Sequence, residues 1–326
     1  MYYKIVGAIA AVVTVAAAAY FFVPSGALEA DERGEIEALF HNNSSADAYG
    51  RLKEKYDAVD QPSQHNAAHI FGEFLYAHEG LDGFSVCDGA FGFGCYHTFI
   101  AAAIAEHGEG VIATLDATCV SAFGEGGLGC FHGIGHGLLS YEGYRTEDVQ
   151  RALELCEDLS WKRPLGGCSD GVFMENNFRV METDPKDRSR PFTVSDRHEP
   201  CTSIPEQFRE ACYFSQPGWW GQSLERSEKE IATWCSEASS NELQRSCFRG
   251  AGYAHAPFVH FDAHDGSAYC DSLPASSEAR LWCREGMAWA LYADPALRDG
   301  AATVCSEGLN SVQSKRCTDE FLFVIQ

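Results

Sequence analysis

The chain has 326 residues, 47 acidic and 24 basic, for a formal net charge of -23. With 45% hydrophobic and 12% aromatic residues it can fill one large core or two ordinary ones, so the chain as a whole is not intrinsically disordered. Such an acidic surface repels phosphate backbones and no basic stripe offsets it, which argues against nucleic-acid binding and against a basic patch on anionic lipid.

Lys4 precedes an unbroken apolar run from Ile5 to Val23, followed by Pro24-Ser25-Gly26-Ala27 and the acidic Glu29, Asp31 and Glu32. At 1.5 Å per residue that run can cross a hydrocarbon core of about 30 Å, and the charge asymmetry keeps the N-terminus in the cytoplasm. Apolar cores of signal peptides are shorter, about 7–15 residues. Residues 1–27 therefore read as a signal-anchor, and Ser25 and Ala27 supply the small residues for the alternative, a cleaved signal peptide. Either way the rest is extracytoplasmic, anchored through its N-terminal segment or secreted. Residues 28–60 are a polar, helical lead-in.

The 14 cysteines lie outside this segment. Taken two at a time they are separated by 8, 11, 12, 11, 12, 13 and 12 residues. First members recur at Cys119, Cys156, Cys201, Cys235, Cys270 and Cys305, a repeat of about 35 residues. An even count in an exported chain predicts disulfides, and the spacing predicts seven local ones. Thiolate metal sites would need closer pairs, and the sequence has no Cys-x-x-Cys.

The text around the cysteines defines the unit. First cysteines end apolar helical stretches, as in Val149–Cys156 and Glu230–Cys235. Second cysteines sit early in helices such as Glu206–Cys212, Glu242–Cys247 and Glu278–Cys283, with Ser203, Asn241 and Ser276-Ser277 as candidate caps. The expected fold is all-α: an α-solenoid of about seven disulfide-stapled helical hairpins. In architecture it resembles tetratricopeptide arrays, without their Trp/Leu-Gly/Tyr/Ala signature. The chain divides into His-rich hairpins over 61–178, a Pro-rich loop insertion over 179–200 that lengthens one repeat, and further stapled repeats over 201–326.

Aligning the units on their second cysteine gives a column two residues later: His97, His132, Asp170, Phe214, Arg249, Glu285 and Asp319. The next position is glycine at 133, 171, 250 and 286, which suggests close helix approach. His132 and His136 share a helix face at i, i+4, as do His65 and His69, with Glu73 continuing the latter face. Imidazoles at this spacing can chelate one ion. His65, His69, His97, His132 and His136 are thus the candidate ligands of a transition metal ion, zinc, copper or iron. Glu73 and Glu175 are candidate general acid/base residues, and Asp170 could complete a mixed site.

His255, His260 and His264 with Asp262 and Asp265 form a second cluster, expected in a loop. Trp219-Trp220 reads as core or as a stacking wall. The sequence has no protease His-Glu-x-x-His, no phosphate loop and no haem attachment motif. Two functions follow as expectations. One is an exported metalloprotein, a metal-dependent oxidoreductase or hydrolase acting on a small molecule. The other is a metal-free scaffold that binds an envelope protein or peptide through Asp170, Arg249 and Glu285.

Overall fold

The computed structural model describes residues 25–41, 43–124, 127–163, 165–181, 189–293 and 297–325. The apolar run from Ile5 to Val23, and with it the signal-anchor expectation, lies outside the described residues. Among these, no helix is long and apolar enough to cross a membrane. The described residues are helical, with no strands, and all fourteen cysteines are paired. Pairing follows the local pattern throughout: 87–95, 119–130, 156–168, 201–212, 235–247, 270–283 and 305–317. Seven disulfides suit an oxidising, extracytoplasmic environment.

The described residues form two compact units, the first ending at Cys95 and the second beginning at Tyr96. In the first, α1 (Ser25–Phe40), α2 (Ser45–Tyr56) and α3 (Gln61–Glu79) pack on one another. Ser44 and Asp60 accept backbone N–H groups at the starts of α2 and α3, satisfying donors that a helix leaves open. Phe71 fills the centre, stacked on Phe40 at 4.8 Å and packed against Tyr49 at 4.9 Å. Gly80, at φ 56°, ends α3, and two short 3-10 turns lead to Cys87 and to Phe93.

The second unit opens within α4 (Gly94–His107) and continues with α5 (Ile112–Phe123), α6 (Leu128–Glu142), α7 (Thr146–Glu157) and α8 (Gly167–Phe178). Beyond the insertion come α9 (Arg209–Gln222), α10 (Glu228–Ser236), α11 (Asn241–His255), α12 (Ala263–Ser272), α13 (Ser277–Ala293), α14 (Arg298–Val304) and α15 (Ser311–Ile325). The helices that carry second cysteines pack in sequence, α6 on α8, α8 on α9, α9 on α11, α11 on α13 and α13 on α15. Each disulfide ties such a helix to the segment before it.

Glycine sets how close these helices come. A Cβ on Gly171 would strike the carbonyl of His132, one on Gly250 that of Phe214, and one on Gly286 that of Arg249. Gly135 and Gly252 make the reciprocal approaches, to the carbonyls of Cys168 and Cys283. Gly133 lies against α4, where a Cβ would stand 3.3 Å from the Tyr96 carbonyl. The glycine column is thus a device for backbone contact, and α6 is clamped between α4 and α8 by glycines on both faces.

The expected helix ending at the first cysteine is present at Cys119, Cys156, Cys235 and Cys270, and Cys305 directly follows α14. It is absent at Cys201, which lies in a run of turns, and at Cys87, which follows a 3-10 stretch. At Cys201 the insertion replaces that helix, and Ser203 bonds Glu199 instead of capping α9. Described residues 189–200 contain no helix. They are pinned to α8 and α9: buried Arg190 donates to Asn177 and Gln216 and lies 3.5 Å over the Trp219 ring. The Trp219 and Trp220 side chains are both buried, so the aromatic pair is core.

Candidate metal centre

His97 on α4, His132 and His136 on α6, and Asp170 and Glu175 on α8 converge within the second unit. The glycine-mediated approach of these helices is what brings them together. Ring centroids of His97 lie 5.2 Å from His132 and 5.0 Å from His136, and those of His132 and His136 are 4.7 Å apart. All three imidazoles are buried.

The carboxylates fix the tautomers. His132 Nδ1 lies 3.2 Å from Asp170 Oδ2, and His136 Nδ1 lies 2.9 Å from Glu175 Oε2. With its proton on Nδ1, beside the carboxylate, each imidazole keeps a lone pair on Nε2. Those two Nε2 atoms face each other at 3.0 Å. Two lone pairs at that distance repel, and a proton or a metal cation between them relieves the repulsion.

A second layer holds the carboxylates. Glu175, at 0% exposure, accepts from Tyr144 Oη at 2.7 Å and from the Met181 amide at 3.2 Å. Burial pushes its carboxyl up to about 7, opposed by those donors, by the Val180 amide and by the Arg179 charge. Arg179 lies 4.5 Å over the Tyr144 ring. Asp170 Oδ1 accepts from Ser215 Oγ at 3.0 Å. Imidazoles that donate to carboxylates through the nitrogen opposite the ligand atom are the usual supporting arrangement of a metal site. Of the predicted carboxylates, Asp170 and Glu175 are thus imidazole partners. Tyr144, Ser215 and the Met181 amide were not legible as participants, since no spacing rule links them to the histidines.

The other two candidate ligands belong to the first unit. His65 and His69, one turn apart on α3, have ring centroids 4.4 Å apart. His65 Nδ1 lies 2.7 Å from the Phe91 carbonyl. Glu73, a further turn along, is held by both terminal nitrogens of Arg33 at 2.7 and 3.0 Å and is exposed.

The later part of the column is engaged with itself. Arg249 pairs with Glu285 at 2.8 Å and with Glu320 at 2.9 Å, while Phe214 packs on Tyr253 and Trp289. The residues of the second histidine cluster have separate tasks: His255 stacks on Tyr269 at 3.5 Å, His264 bonds Glu307 at 3.0 Å, and Asp262 caps α12. Comparison with protein families, with characterised proteins and with solved structures finds no match to this chain.

Proposed function

We propose that the chain is an exported metalloprotein, anchored by its N-terminal segment, whose α-solenoid of stapled hairpins holds a divalent transition metal on His97, His132 and His136. One observation carries this reading: two buried imidazoles, each with its Nδ1 on a carboxylate, turn their Nε2 atoms on each other at 3.0 Å. Nitrogens that share an ion at about 2.0–2.1 Å each lie about 3.0–3.4 Å apart. The charge fits as well, because two buried carboxylates behind the imidazoles balance a dication.

Imidazole donors suit zinc, copper and iron. Zinc would supply hydrolytic chemistry, and copper or iron would supply redox chemistry, on a small-molecule substrate. The protein's own part is to hold the imidazoles in one tautomer and one orientation through Asp170 and Glu175. The scaffold reading has less support, because Asp170, Arg249 and Glu285 are buried and bonded to other residues of the chain.

The test is elemental analysis of the full chain made in an oxidising compartment, beside a His132→Ala/His136→Ala variant with its disulfides intact. Near-stoichiometric metal that the variant loses supports the site and names the ion. A folded wild-type chain that stays metal-free after reconstitution sinks the reading.

A further inference from the structure

The first unit contains an arrangement that the site above does not use. His65 and His69 lie on one face of α3, with a nitrogen of each within 4.8 Å of the other. Their elements are built around one unusual stretch of backbone. Phe91, Gly92 and Phe93 have φ of 54°, 62° and 63°, three successive residues in the left-handed region. Phenylalanine avoids that region because its Cβ crowds the backbone there. Such conformations persist where the surroundings enforce them, and they cluster at functional sites.

The strained turn lies inside the Cys87–Cys95 loop, and it aims the Phe91 carbonyl at His65 Nδ1, 2.7 Å away. The carbonyl accepts the Nδ1 proton, so the Nε2 of neutral His65 carries the lone pair. A backbone carbonyl on the far nitrogen is one of the common supports of a metal-bound histidine. Gly92 and Gly94 let the turn close on the ring: a Cβ on Gly92 would stand 3.3 Å from His65 Nδ1, and one on Gly94 would stand 2.8 Å from the His65 carbonyl. Glu73 is held by Arg33, so the first unit offers this ion two imidazoles.

We infer that His65 and His69 hold a second transition metal ion, so that the protein takes two ions per chain, and that the Phe91-Gly92-Phe93 turn exists to fix the His65 tautomer. The inference stands apart from the reading of His97, His132 and His136, and one experiment separates the two.

Full-length protein, stripped with chelator under non-reducing conditions, is titrated with cobalt(II) and followed by visible absorption. The expected result is two equivalents, with one retained by His65→Gln/His69→Gln and one by His132→Gln/His136→Gln. Gly92→Ala should weaken the first-unit equivalent about tenfold or more and leave the other unchanged. Circular dichroism and a thiol count show that each variant is folded and stapled. A single equivalent, lost only on changing His132 and His136, overturns the inference and leaves the proposed site standing. A single equivalent lost only on changing His65 and His69 sinks the proposed site at His132 and His136, and with it the inference of two ions per chain. Loss of all cobalt in either double variant means one ion, and also overturns the inference.

Discussion

His136 and Glu175 are joined by a 2.9 Å hydrogen bond in which both side chains are sealed from solvent. The bond fixes the imidazole so that its other nitrogen meets His132 Nε2, and Tyr144 in turn fixes the carboxylate. Glu175→Gln keeps the shape but removes the negative charge behind the ring, and Asp170→Asn does the same for His132. Each should lower metal affinity about 10–100-fold. Tyr144→Phe, which removes one donor from Glu175, should have a smaller effect in the same direction. Competition with a chelator of known affinity checks all three, and unchanged affinity in both carboxylate variants would show that the imidazoles act without them.

The disulfides and the close helix approaches were legible in the sequence because both are local. A cysteine about twelve residues from the next can close a helix-loop-helix without long-range information, and a glycine at a fixed offset from it marks the same contact in four of the units. The convergence of His97, His132 and His136 with Glu175 was legible only as a set of residue types. Nothing in the spacing says that α8 turns Glu175 toward His136, or that Tyr144, just beyond Gly143, reaches it. Glu73 shows the converse: its face on α3 was correctly placed beside His65 and His69, but Arg33, forty residues earlier on α1, takes its charge. The departures at Cys87 and Cys201 are explained by local chain conditions, a 3-10 stretch and an inserted loop, that override the repeat.

The glycine contacts predict opposite outcomes for the same substitution. Gly135→Ala and Gly250→Ala place a methyl into a neighbouring helix backbone, which cannot move without separating the helices. Each should cost about 1–3 kcal/mol, toward the upper end. At Gly34 on α1 and Gly50 on α2 a Cβ would meet nothing within 4 Å. There alanine should stabilise by about 0.5–1 kcal/mol through helix propensity and a less disordered unfolded chain. Denaturant melts of the four variants decide the matter, and destabilisation at Gly34 or Gly50 would contradict the packing described.

Every cysteine is paired, so the denatured, unreduced protein should show no free thiol, and reduction should release all fourteen. Removing one staple from the second unit, Cys235→Ser/Cys247→Ser, opens a loop with a sequence separation of 12. The cost should be about 3 kcal/mol if the bridge acts by restricting the unfolded chain. Thermal melts with and without reductant measure it. A variant as stable as the wild type would show that helix packing alone holds that hairpin.

Histidine burial gives the second unit a pH dependence of known sign. Burial holds the His255 imidazole, stacked on Tyr269, below its ordinary value. The fold therefore binds fewer protons there than the unfolded chain does, and stability rises with pH across that interval. The contribution is complete above about 6.5, the unfolded value, and is lost as pH falls below it. His198 adds in the same direction, since burial lowers it against the charges of Asp196 and Glu237. His264 runs the other way: Glu307 raises it, so its small exposed contribution is present in acid and disappears as pH rises through its folded value. His255→Phe keeps the stack on Tyr269 and removes the titrating group. Its stability, measured by denaturant melts of chelator-treated protein, should fall less steeply than the wild type's between pH 7 and pH 5. Identical slopes would mean that His255 takes up its proton in the folded protein without penalty, which the stack on Tyr269 argues against.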